Sequence, residues 1–191
     1  MLPTLQKDLL QQRILLEVIL EDQLHTHALF EKGIVNACIS SEAKAMKGCV
    51  AQYLGVMQYR MICTMSFKQK WFIHGLNRDA LSLAPAVIFN QKDMLHVEVL
   101  KKEFGLLKGT YPFHLIPSSE SFVHAIKLGL GYGMVPQVQL REMEENIDYI
   151  NLIPDFSYQV PLYWHHWDDQ SKILQHLTAS VVALTRKTLG E

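Results

Sequence analysis

Two short polar segments each follow an apolar run that has the length of a β-strand. One segment holds Ser118, Ser119 and Glu120 ahead of a helical pattern, and the other begins at Asn90. Serine hydroxyl groups and the free N–H groups of a helix start can donate hydrogen bonds to a carboxylate, although simple N-capping by serine gives the same pattern. Glu120 stabilises the helix dipole but repels an incoming carboxylate, so a ligand with charges of both signs fits better than a simple anion. The pattern therefore predicts either an N-cap alone or an N-cap that also contacts a small ligand.

Other side chains with chemical potential lack the spacing that catalysis or metal binding requires. No HExxH motif and no Cys/His ligand spacing is present. Gly129, Gly131 and Gly133 spell GxGxG, but a helix precedes them and a strand follows, the reverse of the dinucleotide-binding order. We expect Gly129 and Gly131 to end the helix and turn the chain, and Gly133 to permit a close backbone approach. Ser118 lacks the flanking glycines of a nucleophile elbow, so we expect no catalytic residue and no enzymatic activity. From the ligand spacing and the order of elements around the glycines we expect no metal and no cofactor.

Composition narrows the possible classes of protein. The 191 residues are 49% hydrophobic, and 18 basic against 19 acidic residues leave a formal net charge of −1. This balance argues against direct DNA binding by this chain, since phosphate contacts need a basic surface. The first residues lack the basic-then-apolar order of a signal peptide, and no apolar run is long enough to span a bilayer, so we expect a cytoplasmic protein. The three cysteines are too widely spaced for a disulfide framework, so we expect buried free thiols.

Helical and strand-like periodicities alternate along the chain, which is typical of an α/β protein with largely parallel sheets covered by helices. In such sheets ligands lie beyond the carboxyl ends of strands, where Asn90 and Ser118 are expected. The expected helices are 2–10, 26–32, 66–72, 78–83, 94–105, 119–128, 137–145 and 171–189. The expected strands are 14–21, 34–40, 50–54, 58–64, 86–90, 113–116, 132–135, 149–153 and 159–167.

Several segments, taken in order, resemble the effector-binding domain of LysR-type transcriptional regulators. Within that family they look most like the arginine/lysine-responsive branch, which controls arginine export and was also described as an inhibitor of chromosome initiation. The resembling segments are residues 2–5, EVILED (17–22), 26–40 ending in VNACIS, LGVMQYR (54–60), WFIHGLNRDAL (71–81), APAVIFNQKD (84–93), SSESF (118–122) and LYWHHW (162–167).

The resemblance implies an α/β fold of the two-lobed, type 2 periplasmic-binding-protein-like kind with two crossover strands. Lobe I would comprise residues 1–60 and 138–191, and lobe II residues 61–137, with crossings near 59–63 and 136–140. A small ligand, lysine or arginine, would lie between the lobes and modulate a DNA-bound oligomer. The residues that we expect to contact this ligand are Asp22, Ser40, Asn90, Ser118, Ser119 and Glu120.

Two departures from the family pattern qualify this expectation. Family members carry an N-terminal winged helix-turn-helix, a linker helix and a first strand ahead of the segment that starts here, so DNA contact is expected only through that domain. Asn90 stands where the resembling branch tends to have an acidic residue after the phenylalanine, a change that weakens recognition of a basic side chain or shifts preference to another ligand.

The resemblance also implies an oligomer. We expect a homodimer or higher oligomer, or a heterodimer with a full-length regulator, formed through the 2–10 helix and the 14–21 strand. Two alternatives stay open: a stand-alone amino-acid-binding protein of the same fold, and a regulator fragment without function.

Overall fold

Two long strands are shared by the two units into which the chain divides. The computed structural model describes residues 2–21, 26–143 and 149–190, and unit 1 comprises Met1–Met57 and Val160–Glu191, whereas unit 2 is Gln58–Gln159. The helices are α1 (Leu2–Gln11), α2 (Thr26–Glu31), α3 (Met65–Trp71), α4 (Arg78–Leu83), α5 (Met94–Phe104), α6 (Ser119–Lys127), α7 (Gln137–Met143) and α8 (Lys172–Leu189). The strands are β1 (Ala37–Ser40), β2 (Cys49–Thr64), β3 (Ala86–Ile88), β4 (Phe113–Leu115), β5 (Gly133–Pro136), β6 (Tyr149–Asn151) and β7 (Tyr158–Trp167). Strands β2 and β7 pass from one unit to the other.

Unit 1 is built on a sheet in which β7 lies between β1 and β2. Strand β1 pairs antiparallel with β7, from Ala37 opposite His166 to Ser40 opposite Tyr163. Helices α1 and α8 pack together, and the hydroxyl of Ser180 on α8 donates to Asp8 Oδ2 on α1 over 2.5 Å. This hydrogen bond stabilises the carboxylate and lowers the pKa of Asp8.

Unit 2 contains a parallel pair of strands as well as the second half of β2. Strands β3 and β4 run parallel, with Ala86 opposite Phe113 and Ile88 opposite Leu115. Strands β5 and β6 pair antiparallel with the end of β2. A core of completely or almost completely buried side chains covers these strands, and it includes Met61, Phe67, Leu100 and Tyr132.

The expectation of largely parallel sheets was wrong for the strand pairs whose register is defined. Only β3 and β4 are parallel strands, whereas β1 with β7, and β2 with both β5 and β6, are antiparallel. Strands β2 and β7 enter their sheets from the other unit, so no βαβ crossover forces them to run parallel with their neighbours.

The second crossing and the lobe boundary also differ from expectation. Residues 136–140 do not cross between units, because they end β5 and begin α7, and the return is made by β7 at residues 159 and 160. Residues 138–159 therefore belong to unit 2 rather than to the first lobe, since β6 pairs with the end of β2 inside that unit. The first crossing falls at residues 57 and 58, close to the expected position.

The expected strand 14–21 was also wrong, since these residues form no helix or strand. Leu15 is 99% exposed, Val18 70% and Leu20 69%, so the apolar side chains that suggested a buried strand face solvent. The apolar pattern marks a segment that can be buried, but a strand also needs a neighbouring strand for its backbone.

The three glycines of the GxGxG run serve two purposes. Gly129 follows α6 with φ of 72°, which confirms its role in ending the helix. Gly131 does not turn the chain as expected; a Cβ there would lie 2.7 Å from the carbonyl oxygen of Pro85. Gly133 permits a close approach, as expected, since its Cβ would lie 3.1 Å from the carbonyl oxygen of Val87. Both later glycines therefore let β5 and the chain before it lie against β3.

Candidate functional site

The polar segments singled out in the sequence lie at the same edge of unit 2. Strands β3 and β4 are parallel neighbours, and the N–H of Ile116 donates to the carbonyl of Ile88 over 3.0 Å where both strands end. Asn90 lies two residues beyond Ile88, and Ser118 lies two residues beyond Ile116. The carboxyl ends of two neighbouring parallel strands therefore bring both polar segments to one edge, whereas the sequence had indicated two separate candidate edges.

The loop after β3 is held by hydrogen bonds from its own side chains. Asn90 Oδ1 accepts the backbone N–H of Lys92 over 2.7 Å. Asp93 caps α5, because its Oδ1 accepts the N–H of His96 over 3.4 Å, while its Oδ2 accepts the N–H of Phe89 over 3.3 Å. Both carboxylate oxygens of Asp93 are thus used to join the end of β3 to the start of α5.

A residue far along the chain completes this loop. The ammonium of Lys108 donates to the carbonyl oxygen of Gln91 over 2.6 Å. Sequence reasoning missed Lys108, because it lies 17 positions from its partner and no local pattern connects the two. Burial, followed by the charge of Asp93, raises the pKa of Tyr111 to about 12, so this phenol stays neutral beside the loop.

The serine pair begins α6 in the predicted manner. Ser118 has extended backbone angles, and its Oγ accepts the N–H of Ser121 over 3.4 Å, so it is the N-cap. Ser119 is the first helical residue, and the hydroxyls of both serines belong to exposed side chains. The helix is fixed by its buried face, which includes Phe122 and Ile126. The hydroxyl hydrogen of Ser118 is left to donate, since the oxygen serves as the capping acceptor.

Glu120 lies in the first turn of α6 and lines a groove along that helix. It lines an open groove of about 480 Å³ along α6, together with Ile116, Ser121, His124, Ala125, Leu128 and Leu130. Of the predicted ligand residues that the structure describes, no other lines this groove.

Ser40 is not part of this edge. Ser40 belongs to unit 1, where it is 1% exposed and its Oγ accepts the N–H of Glu42 over 3.2 Å. His165 Nε2 lies 2.7 Å from the carbonyl oxygen of Glu42, which secures the same turn. Asp22 lies outside the described residues. The ligand contacts of Ser40 and Asp22 stay predictions.

The chemistry available at the edge is hydrogen bonding rather than metal or nucleophilic chemistry. Across residues 2–21, 26–143 and 149–190 no group of three histidine, cysteine, aspartate or glutamate side chains could hold a metal ion. Over the same ranges no helix is long and apolar enough to cross a membrane. The hydroxyl and amide groups of the edge can hold a small polar ligand but offer no activated nucleophile.

Comparison with known proteins gives consistent results. No protein-family model matches the sequence. The chain is 34% identical, over all 191 residues, to the HTH-type transcriptional regulator ArgP of Photobacterium profundum, and it spans 64% of the length of that protein.

Two solved structures match most of the chain. The C-terminal domains of a LysR family protein from Agrobacterium tumefaciens match with a TM-score of 0.89 and 30% identity, over 98% of this chain and 90% of that one. The full-length LTTR LysG from Corynebacterium glutamicum with bound effector Arg matches with a TM-score of 0.87 and 28% identity, over 97% of this chain and 63% of that one. These matches confirm the expected two-lobed, type 2 periplasmic-binding-protein-like fold.

Proposed function

The chain belongs to the LysR family of transcriptional regulators, and on that premise we propose that it is an effector-binding domain whose effector is a basic amino acid, arginine or lysine. One observation carries the proposal: LysG, which was solved with bound effector Arg, shares this fold with a TM-score of 0.87. The edge formed by Asn90, Ser118 and Ser119 supports it with hydrogen-bonding groups that suit an amino acid. In the proposed mechanism the effector favours one arrangement of a DNA-bound oligomer through its difference in affinity, and no bond is made or broken.

The proposed contacts divide the charges of the amino acid. The carboxylate accepts hydrogen bonds from the hydroxyls of Ser118 and Ser119, and Glu120 or Asp22 pairs with the ammonium or guanidinium. Charge-assisted hydrogen bonds of this kind contribute roughly 1.5–3 kcal/mol each. DNA contact would belong to the part of the relatives that this chain does not match, since its own charges are balanced.

Calorimetric titration with arginine and lysine tests this function. We expect saturable binding that is weakened at least about tenfold in Ser119→Ala and in Ser118→Ala, a change of about 1.4 kcal/mol. Ser171→Ala is the matched control, because Ser171 also caps a helix and accepts the N–H of Leu174 over 3.3 Å, but it lies in unit 1. Loss of the N-cap at Ser118 or at Ser171 costs about 1 kcal/mol of stability. Only the change in ligand affinity therefore distinguishes Ser118→Ala from Ser171→Ala.

The outcomes separate this function from the two alternatives. Absence of heat from a chain that still melts cooperatively would contradict effector binding and favour a fragment without function. Binding that leaves promoter occupancy by an intact co-expressed regulator unchanged would favour a stand-alone amino-acid-binding protein.

We also propose that a second copy of the chain covers the exposed apolar segment 14–21 and part of α1. The segment presents Leu15, Val18 and Leu20 to solvent, and exposed apolar surface of this kind is typical of an interaction site. Sedimentation equilibrium should therefore show a dimer that Val18→Glu dissociates. Leu83→Glu is the control, because Leu83 is similarly exposed but lies on α4 of unit 2. Dissociation by both variants would contradict the assignment to this segment.

A further inference from the structure

We propose that Asn90 is a hydrogen-bond donor to the carboxylate of the effector, and that position 90 faces away from the effector's basic end. The proposal rests on the proposed function and deepens it, because it assigns one end of an amino acid to one side chain.

The turn after β3 fixes which end of the Asn90 amide is available. Asn90 Oδ1 accepts the N–H of Lys92 over 2.7 Å. A backbone N–H can be met only by the oxygen of the amide, since the NH₂ group is itself a donor. The NH₂ group has no partner among the described residues, so two N–H bonds remain for a ligand.

The hydrogen-bond donors at this turn favour an anionic group over a cationic one. Lys92 is the residue that closes the turn, and the ammonium of Lys108 binds the carbonyl of Gln91, the residue between. The one carboxylate of the loop, Asp93, uses both oxygens on backbone N–H groups. A guanidinium placed at the Asn90 amide would meet an NH₂ donor and, nearby, the ammonium of Lys108, whereas a carboxylate would accept a hydrogen bond from the NH₂ group.

An aspartate at this position would reverse the preference with little change of shape. Asn90→Asp keeps one oxygen for the N–H of Lys92 and replaces the outward NH₂ by a second, negatively charged oxygen. The variant therefore repels a carboxylate and attracts a basic group, so the direction of its effect reports which end of the effector lies there.

The test titrates the full chain and its variants with arginine and with agmatine, which lacks only the carboxylate. The unmodified chain should bind arginine at least tenfold tighter than agmatine. Asn90→Asp should weaken arginine binding at least tenfold and leave agmatine binding equal or tighter.

Asn151→Asp is the matched control. Asn151 Oδ1 also accepts an N–H two residues ahead, that of Ile153, over 3.3 Å in the same unit, so the variant makes the same charge change in a similar turn. Unlike the NH₂ group of Asn90, that of Asn151 already donates to the carbonyl of Pro154 over 3.4 Å. It should leave the preference for arginine over agmatine unchanged. Asn90→Ser, which keeps an acceptor for the turn but lacks the NH₂ group, serves if Asn90→Asp does not melt cooperatively, and it should weaken arginine binding.

Two contrary results have different meanings. Asn90→Asp that binds arginine as tightly as the unmodified chain, or more tightly, would overturn the assignment of Asn90 and leave the proposed function standing. If neither arginine nor lysine binds an unmodified chain that still melts cooperatively, the proposed function and this assignment are overturned together.

Discussion

Acid should destabilise the protein through His96, and replacing this residue with leucine should remove much of the effect. His96 is 1% exposed, and neither ring nitrogen has a hydrogen-bond partner among the described residues. Its ring lies between Tyr111 and Tyr132, at centroid distances of 5.7 and 5.5 Å. Burial in this apolar core lowers the pKa of His96 to about 4 from 6.5.

The direction and size of the effect follow from the two pKa values. Because the pKa is lower in the folded state, the unfolded chain binds more protons between pH 6.5 and pH 4, and acid therefore favours unfolding. Full passage through this window costs roughly 3 kcal/mol, at about 1.4 kcal/mol per pH unit of pKa difference. Between pH 7 and pH 5 the expected loss from His96 alone is roughly 2 kcal/mol.

Urea denaturation at pH 7, 6 and 5 measures this loss. His96→Leu should reduce the fall in the free energy of unfolding by roughly 2 kcal/mol. At pH 7 it should cost little, because it removes two unpaired polar atoms along with the ring. His74→Leu, at an exposed position, should retain the full pH dependence. Burial also lowers the pKa of His165, so the difference between variants is the relevant quantity. An unchanged pH dependence in His96→Leu would refute the reasoning.

Two further predictions concern close packing and thiol reactivity. In urea denaturation, Gly131→Ala should lower the free energy of unfolding by more than Gly109→Ala. A Cβ at 131 would lie 2.7 Å from a backbone oxygen, whereas at 109, with φ of 82°, only backbone strain of about 1 kcal/mol opposes alanine. An equal loss would contradict the close approach at Gly131. Native-state labelling with a thiol reagent at pH 8 should modify Cys49 first. Cys38 and Cys63 are buried, and burial raises their pKa values to about 11 and about 12, respectively. Equal labelling rates for all three thiols would contradict this burial.

Local signals predicted the parts of the fold that local chemistry determines. Asp93 and Ser118 were recognised as helix N-caps, and both accept the N–H three residues ahead. Gly33, expected to end α2, has φ of 67°. In each case the preference resides in one side chain and its nearest backbone, so sequence alone was sufficient.

The errors arose where a distant partner decides the structure. The expected strands 50–54 and 58–64 form the single strand β2, because Gly55, with φ of 131°, continues the strand rather than ending it. The apolar segment 14–21 forms no strand, since its pattern says nothing about the neighbour that its backbone needs. Lys108 escaped notice at the candidate site for the same reason, because its contact with Gln91 exists only after folding.

The shared strands have a consequence for dissecting the protein genetically. Unit 2 is the uninterrupted stretch Gln58–Gln159, inserted within unit 1, which is assembled from the two ends of the chain. A single gene fragment therefore encodes all of unit 2, including Asn90 and Ser118, and a short loop could replace it between residues 57 and 160. Each unit can thus be encoded by its own gene, but only unit 1 needs a new connection between its two chain segments.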